Sequence, residues 1–298
     1  MNALVRAIES NIRLRPRTRD LYSKAVRMFV DFTGNQQPSS YTTAAVEAWR
    51  DRMLADGLDP ATINGRIFAL RSASRRYADL GGSEFAKAAQ LLPVTQERNR
   101  RALSHDEARR LVGACSGDRP ADLRDRAIIT LALRTGCRRE GIAQIDAADY
   151  QRLVLTVNLK GGRRHTLPPL DSETQTAIDG WIAWLRRCGI TSGRMFRAIR
   201  SAPDLRGRWV VGGSLSGNAI YRIMCRRAAQ AGVDGMYPHR CRHYFVSTAR
   251  STGWPDWYIA QYTGHASVGT LGSTYPMLDQ YTSIVDAPAV APLPSLSA

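Results

Sequence analysis

The stretch Tyr237-Pro238-His239-Arg240-Cys241-Arg242-His243-Tyr244-Phe245 puts two histidines, two arginines and a cysteine into nine positions. A metal site, a nucleic-acid contact and a catalytic pocket all fit so dense a cluster. Zinc would draw on His239, Cys241, His243 and His265 as ligands. Positions 239, 241 and 243 share a face only on a strand, however, and the segment from Pro238 opens a helix. Arg240 and Arg242 would also raise the cost of holding a dication, so no metal site is expected. The sequence has no GxxxxGK[ST] loop, which excludes P-loop ATP-driven helicases and transposition ATPases. The nearby carboxylates Asp234, Asp256 and Asp279 show no pairing of the kind a metal-dependent nuclease needs.

Metal-free phosphoryl transfer is a fourth option. The charge that grows on the non-bridging oxygens must then be met by guanidinium groups, a lysine and imidazoles. A tyrosine hydroxyl can act as nucleophile and conserve the bond energy in a phosphotyrosine link. His239 and Arg242 are three apart and share one helix face. A second arginine, a lysine, a further imidazole and a tyrosine must then come from elsewhere in the chain.

The elements that would position such groups follow from composition and periodicity. With 298 residues and 44% hydrophobic content the chain can bury two cores. Its net charge is +16, and both halves are basic, which points to one extended polyanion facing the whole protein. The five cysteines include no CxxC, so reduced thiols and a cytoplasmic, nucleoid-associated protein are expected. No signal peptide or membrane span is present in the sequence.

Residues 3–33 carry apolar residues at helical spacing, with Leu21, Ala25, Met28, Phe29 and Phe32 as the inward stripe. Thr42 or Thr43 caps a second helix through Met53, and a third runs from Pro60 to the Gly81-Gly82 stop. The third buries Ile63, Ile67, Leu70 and Tyr77, and its other side shows Asn64, Arg66, Arg71, Arg75 and Arg76. That almost purely cationic face favours phosphate contact. Residues 1–92 form a helical DNA-binding domain, 93–101 a linker, 102–286 a second domain, and 287–298 a disordered Ala/Pro/Ser-rich tail. Ser104 and Glu107 make a capping box. Residues 152–169 read as two strands around Gly161-Gly162, and residues 171–188 and 215–231 as helices. The fold class is α+β, mostly helical, with one small antiparallel sheet.

Across nearly all its length the chain resembles the tyrosine recombinase/integrase family, in the form of a phage-integrase-type site-specific recombinase without an arm-binding domain. "RTGCRREGI" resembles the family's first arginine box and matches Arg138. "LKGGRRHTLPP" resembles its catalytic-lysine hairpin and matches Lys160. "PHRCRHYF" resembles the His-x-x-Arg box and matches His239 and Arg242, and "YTGHAS" resembles the box that carries His265, with Thr263 in place of leucine. The nucleophile that follows is Tyr275, ten residues after His265 and one more than the family's usual spacing, with Tyr281 and Tyr262 as alternatives.

What the resemblance implies is a C-shaped clamp in which the N-terminal core-binding domain and the catalytic domain close around duplex DNA. Tyr275 would attack a scissile phosphate held by Arg138, Arg242 and His265. Lys160 would protonate the leaving oxygen and His239 would take the tyrosine proton. Arg163 is expected to contact DNA, and Arg139 and Arg240, beside the matched residues, to face the DNA backbone or solvent. The implied partners are double-stranded recombination sites and a homotetramer on DNA, with residues 276–286 connecting neighbours and no cofactor. A type IB-like topoisomerase and a catalytically silent DNA-binding protein of the same fold are the alternatives.

One observation is independent of the resemblance. Residues 102–298 contain 24 arginines and a single lysine, Lys160. A lone lysine in such a background points to proton donation, which a guanidinium cannot perform.

Overall fold

Helix starts and stops in the first hundred residues follow their capping chemistry. α1 (Ala3–Glu9) is capped by Asn2, and α2 (Pro16–Phe32) begins on a proline, whose missing N–H costs nothing there. α3 (Thr43–Ala55) is capped by Thr42, and α4 (Pro60–Ala78) by the Asp59 carboxylate. The structure, a computed structural model, describes residues 2–34, 37–94, 101–151, 153–159, 162–200, 204, 207, 209–264 and 289–297. Two compact units are present, Met1–Arg98 and Asn99–Ala298. The first has its core around Phe29, which meets Tyr41 and Trp49 edge-on and stacks on Phe85, with Ile63, Ile67 and Leu70 of α4 fully buried below. Each such side chain contributes about 1.5–3 kcal/mol by leaving water.

The inward stripe read along residues 21–32 is corrected by the structure. Ala25 and Phe29 do point inward, joined by Val26 and Val30, but Leu21, Met28 and Phe32 are 65%, 42% and 43% exposed. The inward face follows the 25/26/29/30 pattern, and the other three lie beside it on the helix surface. Residues 3–33 are also two helices, since the chain turns between Ser10 and Arg15.

In the second unit α5 (His105–Gly113) opens on the Ser104–Glu107 capping box. α6 (Pro120–Thr135) is buried along most of its length and packs on α8 (Ser172–Arg187). Between them lie α7 (Arg139–Ala143) and an antiparallel sheet of β1 (Tyr150–Gln151), β2 (Val154–Asn158) and β3 (Arg164–Thr166), in the order β1-β2-β3. A second antiparallel sheet, β4 (Arg197–Ile199) with β5 (Val211–Ser214), was not expected from the sequence. Strands of three and four residues, one of them half glycine, carry too little alternation to be read. α9 (Gly217–Gln230), α10 (Pro238–Ser251) and α11 (Asp256–Thr263) complete the described elements, so the fold is α+β and mostly helical. Among the described residues no helix is long and apolar enough to cross a membrane.

The expectation of a disordered tail is corrected for residues 289–297. Trp254 Nε1 donates to the Ala291 carbonyl at 2.8 Å, and Leu296 is buried. The Glu173 carboxylate accepts from the amides of Leu296 and Ser297, at 3.0 and 3.1 Å, and from the Ser295 and Ser297 hydroxyls. Composition hides this because the anchors are few: Val290, Leu293 and Leu296, spaced by small residues and prolines.

Candidate active site

The turn after α6 leads into Arg138 and accepts a bond from Arg242. Thr135 Oγ1 donates to the Leu131 carbonyl at 2.6 Å and accepts from the Cys137 amide at 3.2 Å. Between them Gly136 caps the helix in the left-handed region, at φ +62°, and the chain emerges extended at Arg138. From α10, Arg242 reaches across and donates from Nη1 to the Gly136 carbonyl at 2.8 Å. Arg242 is buried, and burial first, then the like charge of Arg138, pulls its pKa down to about 10. A lowered guanidinium pKa records an unfavourable charge pair in a poorly hydrated place, which an anion seated against both groups would relieve. Cys137 beneath them is a buried neutral thiol whose pKa burial pushes up.

α10 orients the rest of the cluster. Tyr237 is extended and Pro238 takes the first helical position, so His239 sits exposed in the first turn. The His239 and His243 rings are one turn apart, with centroids 6.4 Å from each other. Cys241 is buried, its thiol pushed up to about 12, as a small core residue. His105 Nδ1 and Tyr244 Oη, at 2.8 Å, tie the start of α5 to the same helix. Among the described residues no three His, Cys, Asp or Glu side chains come together as metal ligands would.

The expected DNA contact at Arg240 is corrected. Its guanidinium is buried, donating to the carbonyls of Arg101 and Asp234 and pairing with Glu107 at 3.3 Å. One helical position after His239 it points into the protein, where it holds the start of α5 to the start of α10. Arg139 instead lies over the Tyr221 ring at 5.7 Å, partly exposed, and Arg163 is exposed at the hairpin turn.

In the first unit Asn64 is likewise corrected from DNA contact to clamp. It is buried, donating to the Leu92 carbonyl and accepting from the Leu92 amide, both at 2.9 Å, so its amide is used up inside the fold. Arg71 donates to the Ala89 carbonyl and stands over the Phe68 ring at 5.7 Å. Arg66 rests against Met53 Sδ, Arg76 lies 3.8 Å from Asp79, and Arg75 is 72% exposed near Glu84. These residues border an open groove of about 1140 Å³ between α2 and α4. Its floor includes Ile12, Leu21, Met28 and Phe68, apolar residues left at the surface, which the inward reading of the stripe missed.

Lys160, His265, Tyr275 and the alternative Tyr281 lie outside the described residues. Tyr262, the other alternative, is a core residue: its hydroxyl donates to the Pro169 carbonyl at 2.8 Å, and burial raises its pKa far above a nucleophile's range. Two residues that sequence reasoning passed over hold the frame around the undescribed positions. His165 on β3 bonds through Nε2 to the Gln261 carbonyl of α11, and Leu159 packs on Gly264. The two-residue period of β3 offers a signal for His165, since it stands opposite the buried Val157.

Comparison with known proteins bears on the family and the fold. Tyrosine recombinase XerD of Mycobacterium tuberculosis (strain CDC 1551 / Oshkosh) is 29% identical over 220 residues, covering 68% of this chain and 66% of that protein. Tyrosine recombinase slr0733 of Synechocystis sp. is 25% identical over 273 residues, covering 86% of this chain and 85% of that one. A crystal structure of a lambda integrase tetramer bound to a Holliday junction superposes with a TM-score of 0.67 at 15% identity, over 96% of this chain and 78% of that one, which makes the fold the same. Residues 101–280 match the Phage integrase family, a span that takes in Arg138, the β2–β3 hairpin, all of α10 and the end of α11. With that match and these relatives, the chain belongs to the phage integrase family of tyrosine recombinases.

Proposed function

We propose that this protein is a site-specific DNA recombinase that cuts and rejoins duplex DNA through a 3′-phosphotyrosine link. The observation that carries the reading is buried Arg242, tied to the Gly136 carbonyl and set close enough to Arg138, two residues past that turn, to feel its charge. A scissile phosphate seated against the pair neutralises their repulsion, and its growing transition-state charge strengthens both contacts. Tyr275 Oη then forms the new O–P bond as the P–O5′ bond breaks. His239 takes the tyrosine proton, Lys160 gives a proton to the departing 5′-oxygen, and His265 adds a hydrogen bond to a non-bridging oxygen. Attack by the 5′-hydroxyl of a partner strand reverses each step, so no external energy source is needed.

The α2–α4 groove supports a duplex contact in which Arg66 and Arg75 meet phosphates while Leu21, Met28 and Phe68 lie against base edges and sugars. In the second unit Arg139, partly exposed, and Arg163, exposed, are proposed to meet DNA phosphates. Lambda integrase has been solved as a tetramer on a Holliday junction, and four protomers on two sites are proposed here as the working complex.

The test uses nicked duplexes drawn from the DNA flanking the coding region. The wild-type protein should form a denaturant-resistant covalent adduct on one of them, and Tyr275→Phe none. Arg138→Ala and Arg242→Ala should each lose about 10²-fold or more in cleavage rate. An undiminished adduct with Tyr275→Phe removes the assigned nucleophile. Relaxation of supercoiled DNA without exchange between two sites marks a topoisomerase instead.

A further inference from the structure

Among the described residues, the hairpin β2–β3 and the end of α11 are joined at three points. On β3, His165 directs Nε2 to the carbonyl of Gln261. A carbonyl can only accept, so this nitrogen carries the proton. Gln261 belongs to the last turn of α11, where the helix runs out of its own amide donors, and the imidazole serves an acceptor there. After β2, the Leu159 side chain lies on Gly264 so closely that a β-carbon at that position would collide with it. Gly264 itself is left-handed, at φ +62°. Beyond β3, the Pro169 carbonyl accepts from Tyr262 Oη at 2.8 Å. One tie is half-buried packing on a glycine and one a core hydroxyl, whereas the His165 bond is a single replaceable side chain at the middle pair of the ladder.

The sequence makes this junction matter. Leu159 immediately precedes Lys160, and Gly264 immediately precedes His265. On the reading above, these two residues address one phosphate, Lys160 at the bridging 5′-oxygen and His265 at a non-bridging one. A proton donor must stand within about 2.6–3.2 Å of the oxygen it serves, so a small rotation of the hairpin against α11 removes general-acid catalysis without disturbing the arginines.

We propose that His165 is a positioning residue of the strand-cleavage step: its hydrogen bond to the Gln261 carbonyl locks the lysine hairpin to the end of α11 and so aims Lys160 at the leaving oxygen. The inference rests on the recombinase reading, and the test separates the two. In the ordinary substrate the departing 5′-oxygen needs a proton. In a nicked duplex with a 5′-bridging phosphorothiolate the P–S bond breaks instead and sulfur leaves as a stable thiolate, so the general acid becomes dispensable. The tyrosine O–P bond and the proton transfer to His239 are the same in both.

The variants are His165→Ala, His165→Gln, which keeps an N–H donor, and Lys160→Ala as reference. His165→Ala should slow adduct formation on the phosphodiester on the order of 10- to 100-fold and leave the phosphorothiolate rate within about threefold of wild type. Lys160→Ala should show the same pattern more strongly, and His165→Gln should recover most of the phosphodiester rate. Equal slowing of both substrates by His165→Ala, or of neither, with Lys160→Ala still rescued by sulfur, overturns the positioning role. Lys160→Ala left slow on both substrates overturns the general-acid reading itself.

Discussion

Replacing Gly136 by alanine tests whether the turn beneath the arginines is as tightly specified as its surroundings require. Two costs add. The backbone is left-handed, at φ +62°, which an L-residue adopts at about 1–2 kcal/mol. A β-carbon there would also sit 3.1 Å from Phe245 Cδ1, 3.2 Å from Thr263 Cγ2 and 3.3 Å from Arg242 Cγ. All three neighbours are buried, and overpacking of this kind costs roughly 1–3 kcal/mol. The sum is about 2–5 kcal/mol. Gly189 supplies the internal control, being left-handed at φ +75° with nothing within 4 Å of an added β-carbon, so alanine there should cost only the backbone share, about 1–2 kcal/mol. Urea unfolding followed by circular dichroism gives both values, provided the denaturant slope is unchanged. Because the crowded atoms include the stem of Arg242, Gly136→Ala should also slow covalent adduct formation by about 10²-fold, while Gly189→Ala leaves it near wild type. Equal loss of stability in the two variants, with normal cleavage by Gly136→Ala, would refute the idea that this turn positions the arginines by close packing.

Arg240→Ala should destabilise the second unit by about 1–3 kcal/mol, removing the donor to the Arg101 and Asp234 carbonyls and leaving Glu107 only Arg101 and the Ser104 amide, yet leave the salt dependence of DNA binding unchanged. A denaturation curve beside a binding titration checks both. Asn64→Ala should cost about 1–3 kcal/mol in the first unit by stranding both backbone groups of Leu92, with no effect on the salt slope. Arg75→Ala should do the reverse, holding stability and lowering the salt slope of affinity by about one. For Glu173, burial alone would raise the pKa, but hydrogen bonds from Ser295, Arg134, Leu296 and Ser297 together hold it down to about 2. A depressed carboxylate stabilises above its unfolded pKa, near 4.3, and that contribution is lost as pH falls toward 2. The Leu296 and Ser297 amides should therefore lose hydrogen-exchange protection across that window, and at neutral pH in Glu173→Gln.

What the sequence disclosed and what it hid divide along physical lines. Caps were readable because they are local: Thr42 and the Ser104–Glu107 box depend on residues a few positions apart. The nearness of Arg138 and Arg242 was legible only as chemistry, since the donation from Arg242 to Gly136 spans 106 positions. Arg240 and Asn64 misled for one reason. A polar side chain near a cationic face looks the same in sequence whether it meets solvent or an inward carbonyl, and only the neighbouring chain decides. Leu21 and Met28 misled in the opposite sense, as apolar residues in helical register that the fold leaves outside. His165 gave no signal as a residue of the site because its partner is a backbone carbonyl, which has no residue identity to search for.

The exposed apolar row of the α2–α4 groove governs how the protein behaves when nothing covers it. The net charge of +16 keeps molecules apart in dilute buffer. Added salt screens that repulsion within about 8–10 Å at moderate ionic strength, and sulfate or phosphate also strengthens the attraction between apolar surfaces. On the proposed duplex contact, the high-salt washes used to strip polyanions from basic proteins would thus uncover the groove while promoting contact between bare grooves. Chloride at moderate strength, or a short duplex left in place, should keep Ile12, Leu21, Met28 and Phe68 of one molecule away from those of the next.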